Sequence, residues 1–153
     1  MKKFLLLFFL LIANQNFAQL NTHTFEEAEK LSKTSPKPFV IFLHTDWCNY
    51  CKMMENTTFK EQKIIAELNK NFYFISFNAE DKKAINFNNH AFKFLPKGNN
   101  SGIHELALSL GEKNGNLVYP TIAILDSDYS ILTQIQSFTN SKILLEILQK
   151  LKR

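Results

Sequence analysis

The stretch His44-Thr-Asp-Trp-Cys-Asn-Tyr-Cys-Lys-Met-Met54 holds the only two cysteines of the chain, Cys48 and Cys51, with its only tryptophan, Trp47, directly before them. Two thiols at this spacing suit three chemistries: a redox couple, half of a metal site, or a structural staple. A staple gains little here, because a disulfide constrains the unfolded chain more the longer the loop it closes. A zinc site wants about four ligands, and the sequence offers one CxxC, His44 beside it and three dispersed histidines. Covalent haem attachment calls for a histidine after the second cysteine, where Lys52 stands. A redox couple needs one sulfur held as thiolate and a second thiol near enough to displace it from a mixed disulfide.

The elements around the pair decide whether that condition is met. Phe39-Val-Ile-Phe-Leu43 is an unbroken β-branched and aromatic run, which reads as a strand covered on both faces. The cysteines follow at once, with no Gly or Pro from Cys48 until Pro96. The pair therefore falls where a buried strand gives way to a helix, with Cys48 in the first helical turn. Unsatisfied N–H groups and about half a positive charge at that end favour the thiolate. Cys51, three residues on, is within reach for the second step.

Upstream, Thr24 and Glu27 make a capping box for a helix with Phe25, Ala28 and Leu31 on one face. Pro36 and Pro38 stop it near Ser35. Downstream, Ile64, Ile65 and Leu68 mark a helix running to about Asn71, and Phe72-Tyr-Phe-Ile-Ser-Phe77 reads as the next strand. The order helix, strand, helix, strand implies a parallel pair with a crossover. Thr121–Leu125 and Ile131–Ile135, joined through Asp126-Ser-Asp128, form an antiparallel hairpin. A last helix, capped at Asn140 or Ser141, carries Ile143, Leu144, Ile147, Leu148 and Leu151 on one face. In the middle, Pro96–Gly102 is turn-rich, and Ile103–Leu110 is expected as a helix stopping at Gly111.

The compartment bears on the cysteines. Lys2 and Lys3, the apolar run Phe4–Ala13 and a small residue at Ala18 have the layout of a secretory signal peptide, residues 1–18. The greasy run is too short to span a bilayer core, which takes about 20 residues, so no stable span is expected after cleavage. Residues 19–153 then form a single domain, exported to a periplasm or secreted. Losing the two lysines of the leader lowers the formal charge from +4 to +2, and the remaining lysines are scattered, which excludes nucleic acid as the expected partner.

The strand Phe39-Val-Ile-Phe42, the motif Trp47-Cys48-Asn-Tyr-Cys51-Lys52, the acidic Asn78-Ala-Glu-Asp81 and Tyr119-Pro120-Thr121 before a hairpin together resemble the thioredoxin superfamily, most of all its exported disulfide reductases and isomerases. The resemblance covers about 38–81 and 118–153, and leaves 82–117 as an inserted segment before the proline strand. It implies an α/β thioredoxin fold, with a central mixed sheet flanked by helices. The implied activity is thiol–disulfide exchange, by reduction or isomerisation, on exported protein substrates that carry thiols or disulfides, with a separate redox partner and no cofactor. The implied site is Cys48 as nucleophile and Cys51 as resolving thiol, the two forming a redox-active disulfide, with Trp47, Tyr119 and Pro120 at the substrate side. The resemblance further implies that the Tyr119–Pro120 peptide bond is cis, leaving the Tyr119 backbone free for a substrate strand.

Departures accompany the matches. Thioredoxins carry a buried aspartate six residues before the first cysteine and a buried lysine on the next strand; Phe42 and Ser76 stand there. Proton transfer from Cys51 then falls to water, Glu80 or His44. Asn49-Tyr50 is neither the Gly-Pro of reducing thioredoxins nor the Pro-His of strong oxidants, so the direction of electron flow stays open within about −120 to −270 mV. The segment 82–117 reads first as scaffold, with a lid or a partner surface as alternatives. Met53 and Met54 read as packing residues, the 11 phenylalanines beyond the leader as core, and His44, His90 and His104 as surface or satisfied core histidines. Trp47 suits either the core or a half-exposed shield over a reactive site. The competing functional class is a thioredoxin-fold adaptor that binds partners without turnover.

Overall fold

The structure, a computed structural model, describes residues 18–98 and 101–152. The expected leader lies outside this range apart from Ala18. The elements run α1 (Phe25–Ser32), β1 (Phe39–His44), α2 (Asn49–Asn56), a 3-10 turn (Thr58–Lys60), α3 (Gln62–Asn71), β2 (Tyr73–Asn78), β3 (Ile85–Phe87), β4 (His90–Phe92), β5 (Phe94–Pro96), β6 (Gly102–His104), α4 (Glu105–Gly111), β7 (Thr121–Leu125), β8 (Ile131–Ile135) and α5 (Ser141–Leu151).

The main sheet has the order β2-β1-β7-β8. β1 and β2 are parallel, whereas β7 pairs antiparallel with both β1 and β8. This is the mixed sheet of a thioredoxin fold. Alternation along the strands divides the core in two. Phe39, Ile41 and Leu43 face one way, with Tyr73, Ile75 and Phe77, beneath α1 and α4. Val40 and Phe42 face the other, with Phe74, Ile122 and Ile124, beneath α2, α3 and α5. Both faces of β1 are covered, which is why its sequence does not alternate. Burying each of these large side chains contributes about 1.5–3 kcal/mol.

The capping box forms as expected: Glu27 N–H donates to Thr24 Oγ1 and Thr24 N–H donates to the Glu27 carboxylate. Asn140 caps α5 by accepting from Ile143 N–H. Of the face expected on that helix, Leu144 and Leu148 are buried but Ile143 is exposed, because only the part of the stripe opposite α3 has something to pack on. Residues 21–23 lie along the outer edge of β2, where His23 N–H donates to Phe74 O at 2.9 Å and Thr22 bridges Phe74.

The middle differs most from the sequence expectation. Two small hairpins, β3-β4 and β5-β6, occupy 85–104, and Ile103 and His104 end a strand instead of opening the helix. The switch follows from His104, whose Nδ1 accepts Leu106 N–H at 3.1 Å and so acts as the cap of α4. Its backbone N–H donates to Ala79 O at 2.8 Å, and its Nε2 lies 3.0 Å from Lys83 O. One buried ring thus ties the hairpins to the end of β2. The helix does stop at Gly111, where packing is tight. A Cβ there would stand 2.5 Å from Leu43 Cδ1 and from Leu117 Cδ1, so the bare backbone lets α4 sit on the core.

Candidate active site

β1 delivers its last buried side chains to the main sheet and then turns through Thr45-Asp46-Trp47 into α2. Cys48 is the cap of that helix and lies just before its first turn: its Sγ accepts Cys51 N–H at 3.1 Å, while its own N–H donates to Thr45 O at 3.2 Å. A helix N–H aimed at the sulfur, together with the positive end of the backbone dipoles, stabilises negative charge there when the pair is reduced. The two sulfurs are joined as a disulfide, with their Cα atoms 5.2 Å apart. Both cysteines are buried in one cluster with Met54, Phe42 and Phe59; Cys48 keeps 5% of its surface and Cys51 1%, which makes Cys48 the more accessible, outer member of the pair.

The rim around this disulfide is aromatic and open. Trp47 is 64% exposed and Tyr50 62% exposed, so Trp47 is a surface group and not a core filler. Its indole N–H donates to Glu80 Oε1 at 3.1 Å, and its ring meets Tyr119 edge-on at 5.9 Å. Tyr119 precedes the buried Pro120 across a cis peptide bond. Burial, aided by the Glu80 charge, pushes the Tyr119 phenol up to about 12, so it remains a neutral hydroxyl at working pH. Trp47, Tyr119 and Glu80 therefore form one cluster at the side of the disulfide, brought together from β1–α2, the approach to β7 and the end of β2.

Other rim members were not expected. Met53 is exposed, unlike Met54, and Phe138, from the turn between β8 and α5, is exposed with its ring 6.4 Å from that of Tyr50. Tyr50 could have been noticed from its place between the cysteines, whereas nothing local marks Phe138 among eleven phenylalanines. Of the two residues in the positions where thioredoxins carry charge, Phe42 is fully buried and Ser76 is exposed, paired in register across β1 and β2. His44 is half-buried on the same side of β1 as Phe42, with the rings stacked at 5.4 Å. Desolvation lowers its pKa from the usual imidazole value, opposed by the charges of Glu55 and Asp46. Among the described residues no group of three or more His, Cys, Asp or Glu is placed to hold a metal ion.

A dithiol couple whose outer sulfur caps a helix and whose partner sits one turn inward is built for exchange, and its setting is a thioredoxin fold; the class is thiol–disulfide oxidoreductase. The chain belongs to the thioredoxin-like family. The sequence pattern described as "Thioredoxin-like domain" matches residues 25–152, in one span that runs through the 82–117 segment. Among solved structures, a DsbH oxidoreductase is similar at 16% identity and a TM-score of 0.60, covering 88% of this chain and 85% of that one. A thioredoxin from Thermus thermophilus is similar at 16% identity and 0.61, covering 86% of each. The C-terminal domain of DsbD from Neisseria meningitidis, in its reduced form, is similar at 17% identity and 0.54, covering 82% and 90%. These likenesses are of fold. No curated protein matches the sequence.

Proposed function

We propose that the protein reduces or isomerises disulfides in exported protein substrates, with Cys48 as nucleophile and Cys51 as resolving thiol. The observation that carries this reading is the hydrogen bond from Cys51 N–H to Cys48 Sγ at the mouth of α2, which favours a thiolate on the outer sulfur. In the reductive direction, Cys48 thiolate attacks a substrate disulfide and one substrate thiolate leaves. Cys51, deprotonated, then attacks Cys48 Sγ, closing the Cys48–Cys51 disulfide and releasing the second substrate thiolate.

Substrate binding is assigned to Trp47, Tyr119 and Pro120. Supporting this, Tyr119 makes no backbone hydrogen bond among the described residues, so its amide and carbonyl are available to an extended substrate segment. The leader-like residues 1–18 support export to a periplasm or the outside. Among the described residues no helix is long and apolar enough to cross a membrane. The test is trapping: Cys51→Ser should accumulate mixed disulfides with client proteins, and Cys48→Ser should capture none. Reduction of insulin by the unsubstituted protein at a rate no greater than that of free dithiol, with partners still held when both cysteines are serine, would instead establish a binding adaptor.

A further inference from the structure

Two residues beside the cysteines carry exposed aromatic side chains, and each is met from a different part of the fold. Trp47 meets Tyr119 and Glu80. Tyr50, between the cysteines on the first turn of α2, meets Phe138 with ring centroids 6.4 Å apart and planes tilted by 54°. Met53, exposed and three residues after Tyr50, falls on the same side of the helix. Among the described residues no ring contact links the Tyr50–Phe138 pair to the Trp47–Tyr119 pair.

The turn that carries Phe138 is fixed to the end of α2. Thr58, buried in the 3-10 turn that follows the helix, donates its hydroxyl hydrogen to Thr139 O at 2.8 Å, and the Thr139 hydroxyl donates to Ser137 O at 3.1 Å. Both neighbours of Phe138 are thus held in place. A fixed backbone that presents an open ring loses little freedom when a ligand covers it. Tyr50, Met53 and Phe138 each keep more than a third of their surface in water, so the fold itself gains little from them.

What covers them follows from the chemistry at Cys48. During exchange the substrate is joined to Cys48 Sγ, two residues from Tyr50 in the chain, and successive residues of an extended substrate advance by about 3.3 Å. The covalent bond therefore brings the residue beside the substrate's cysteine to the patch at high effective concentration.

We propose that Tyr50, Phe138 and Met53 form a specificity-determining subsite, filled by a large apolar or aromatic side chain adjacent to the reacting cysteine of the protein substrate. This deepens the exchange reading above and rests on it. The rings of Tyr50 and Phe138, tilted to one another, accept a third ring edge-on or offset, and the flexible Met53 thioether adapts to its outline.

The test uses the reduced full chain and symmetric disulfide dimers of short peptides, with Ser, Leu or Phe directly before or directly after the peptide's cysteine. Rates for each protein variant are divided by its own rate with oxidised glutathione, which has no large apolar side chain. The unsubstituted chain should favour Phe and Leu over Ser about 10-fold in kcat/KM at one of the two positions, a typical gain for filling an apolar pocket. Tyr50→Ala and Phe138→Ala should each bring that ratio close to one, with no further change in the double variant. Tyr50→Phe should keep the preference. So should Ile131→Ala, which removes an exposed apolar group at the end of β8 away from Thr121. A ratio near one in the unsubstituted chain at both positions would overturn the proposal, as would a preference that survives both rim alanine variants or is lost equally in Ile131→Ala. Failure of the unsubstituted chain to reduce oxidised glutathione or any of the peptides would sink the exchange reading itself.

Discussion

The rim of the disulfide and the 85–104 hairpins use the same residue types in opposite ways. In the hairpins, Phe87 is buried and meets Phe25, Phe39 and Tyr129 at 5.0–5.7 Å, and both ring nitrogens of His104 have partners. At the rim, Trp47, Tyr50, Met53 and Phe138 are exposed. Exposed large apolar groups gain little for the folded state, so their gathering around one disulfide points to recognition. Within the hairpins, Phe87 and His104 are used to hold β2, α1 and α4 together.

Substitutions can break this contrast. The largest effect is expected at Cys48. Cys48→Ser should remove exchange activity to below about a thousandth, measured by insulin reduction, and change stability little because the loop lost is so short. Next, Phe87→Ala should lower unfolding stability by about 3–5 kcal/mol in urea titration, with the rate toward a small disulfide retained in the folded fraction. His104→Ala leaves Leu106 N–H and Lys83 O without partners and should cost about 1–3 kcal/mol, again with exchange intact. At the rim the pattern should reverse. Tyr50→Ala and Phe138→Ala should each stay within about 0.5 kcal/mol of the parent in stability, while kcat/KM toward cysteine peptides with a bulky apolar neighbour drops about 10-fold, near 1.4 kcal/mol. A rim substitution that unfolds the protein, or a hairpin substitution that changes only peptide kinetics, would erase the distinction.

The smallest effect is a pH dependence. The native pKa of His44 lies below its unfolded value because burial disfavours the charged ring, so the native state binds fewer protons than the unfolded one. Its contribution to stability is complete above the unfolded value, near 6.5, and is lost as pH falls through the lower native value. Urea midpoints should therefore decline somewhat more steeply from pH 7 toward pH 5 in the parent than in His44→Gln.

The parts read well from sequence were those where a local rule governs. β1 could be recognised because five consecutive apolar residues have no solvent face to serve, and α1 because Thr24 and Glu27 satisfy each other's backbone. The β7-β8 hairpin followed from its short connection, although its turn holds Tyr129 at φ 70°, a left-handed conformation that stacking on Phe39 at 5.6 Å supports. The hairpins of 85–104 were not read, since each strand is three residues long and too short to show a period. The Ile103–Leu110 helix lost its first two residues to β6 because a histidine cap has no strong sequence signature.

By itself the sequence determined that two thiols stand at a strand-to-helix junction with a tryptophan before them, since spacing, strand chemistry and the lack of helix breakers are properties of neighbours along the chain. Tertiary structure alone decided which groups would surround them. Glu80 reaches Trp47, Tyr119 faces it, Phe138 meets Tyr50, and Phe42 with His44 lies under α2. Each of these contacts joins residues 30 to 90 positions apart or rests on which side of a strand faces which helix. Such pairings depend on register and packing across the sheet, and no local pattern encodes them.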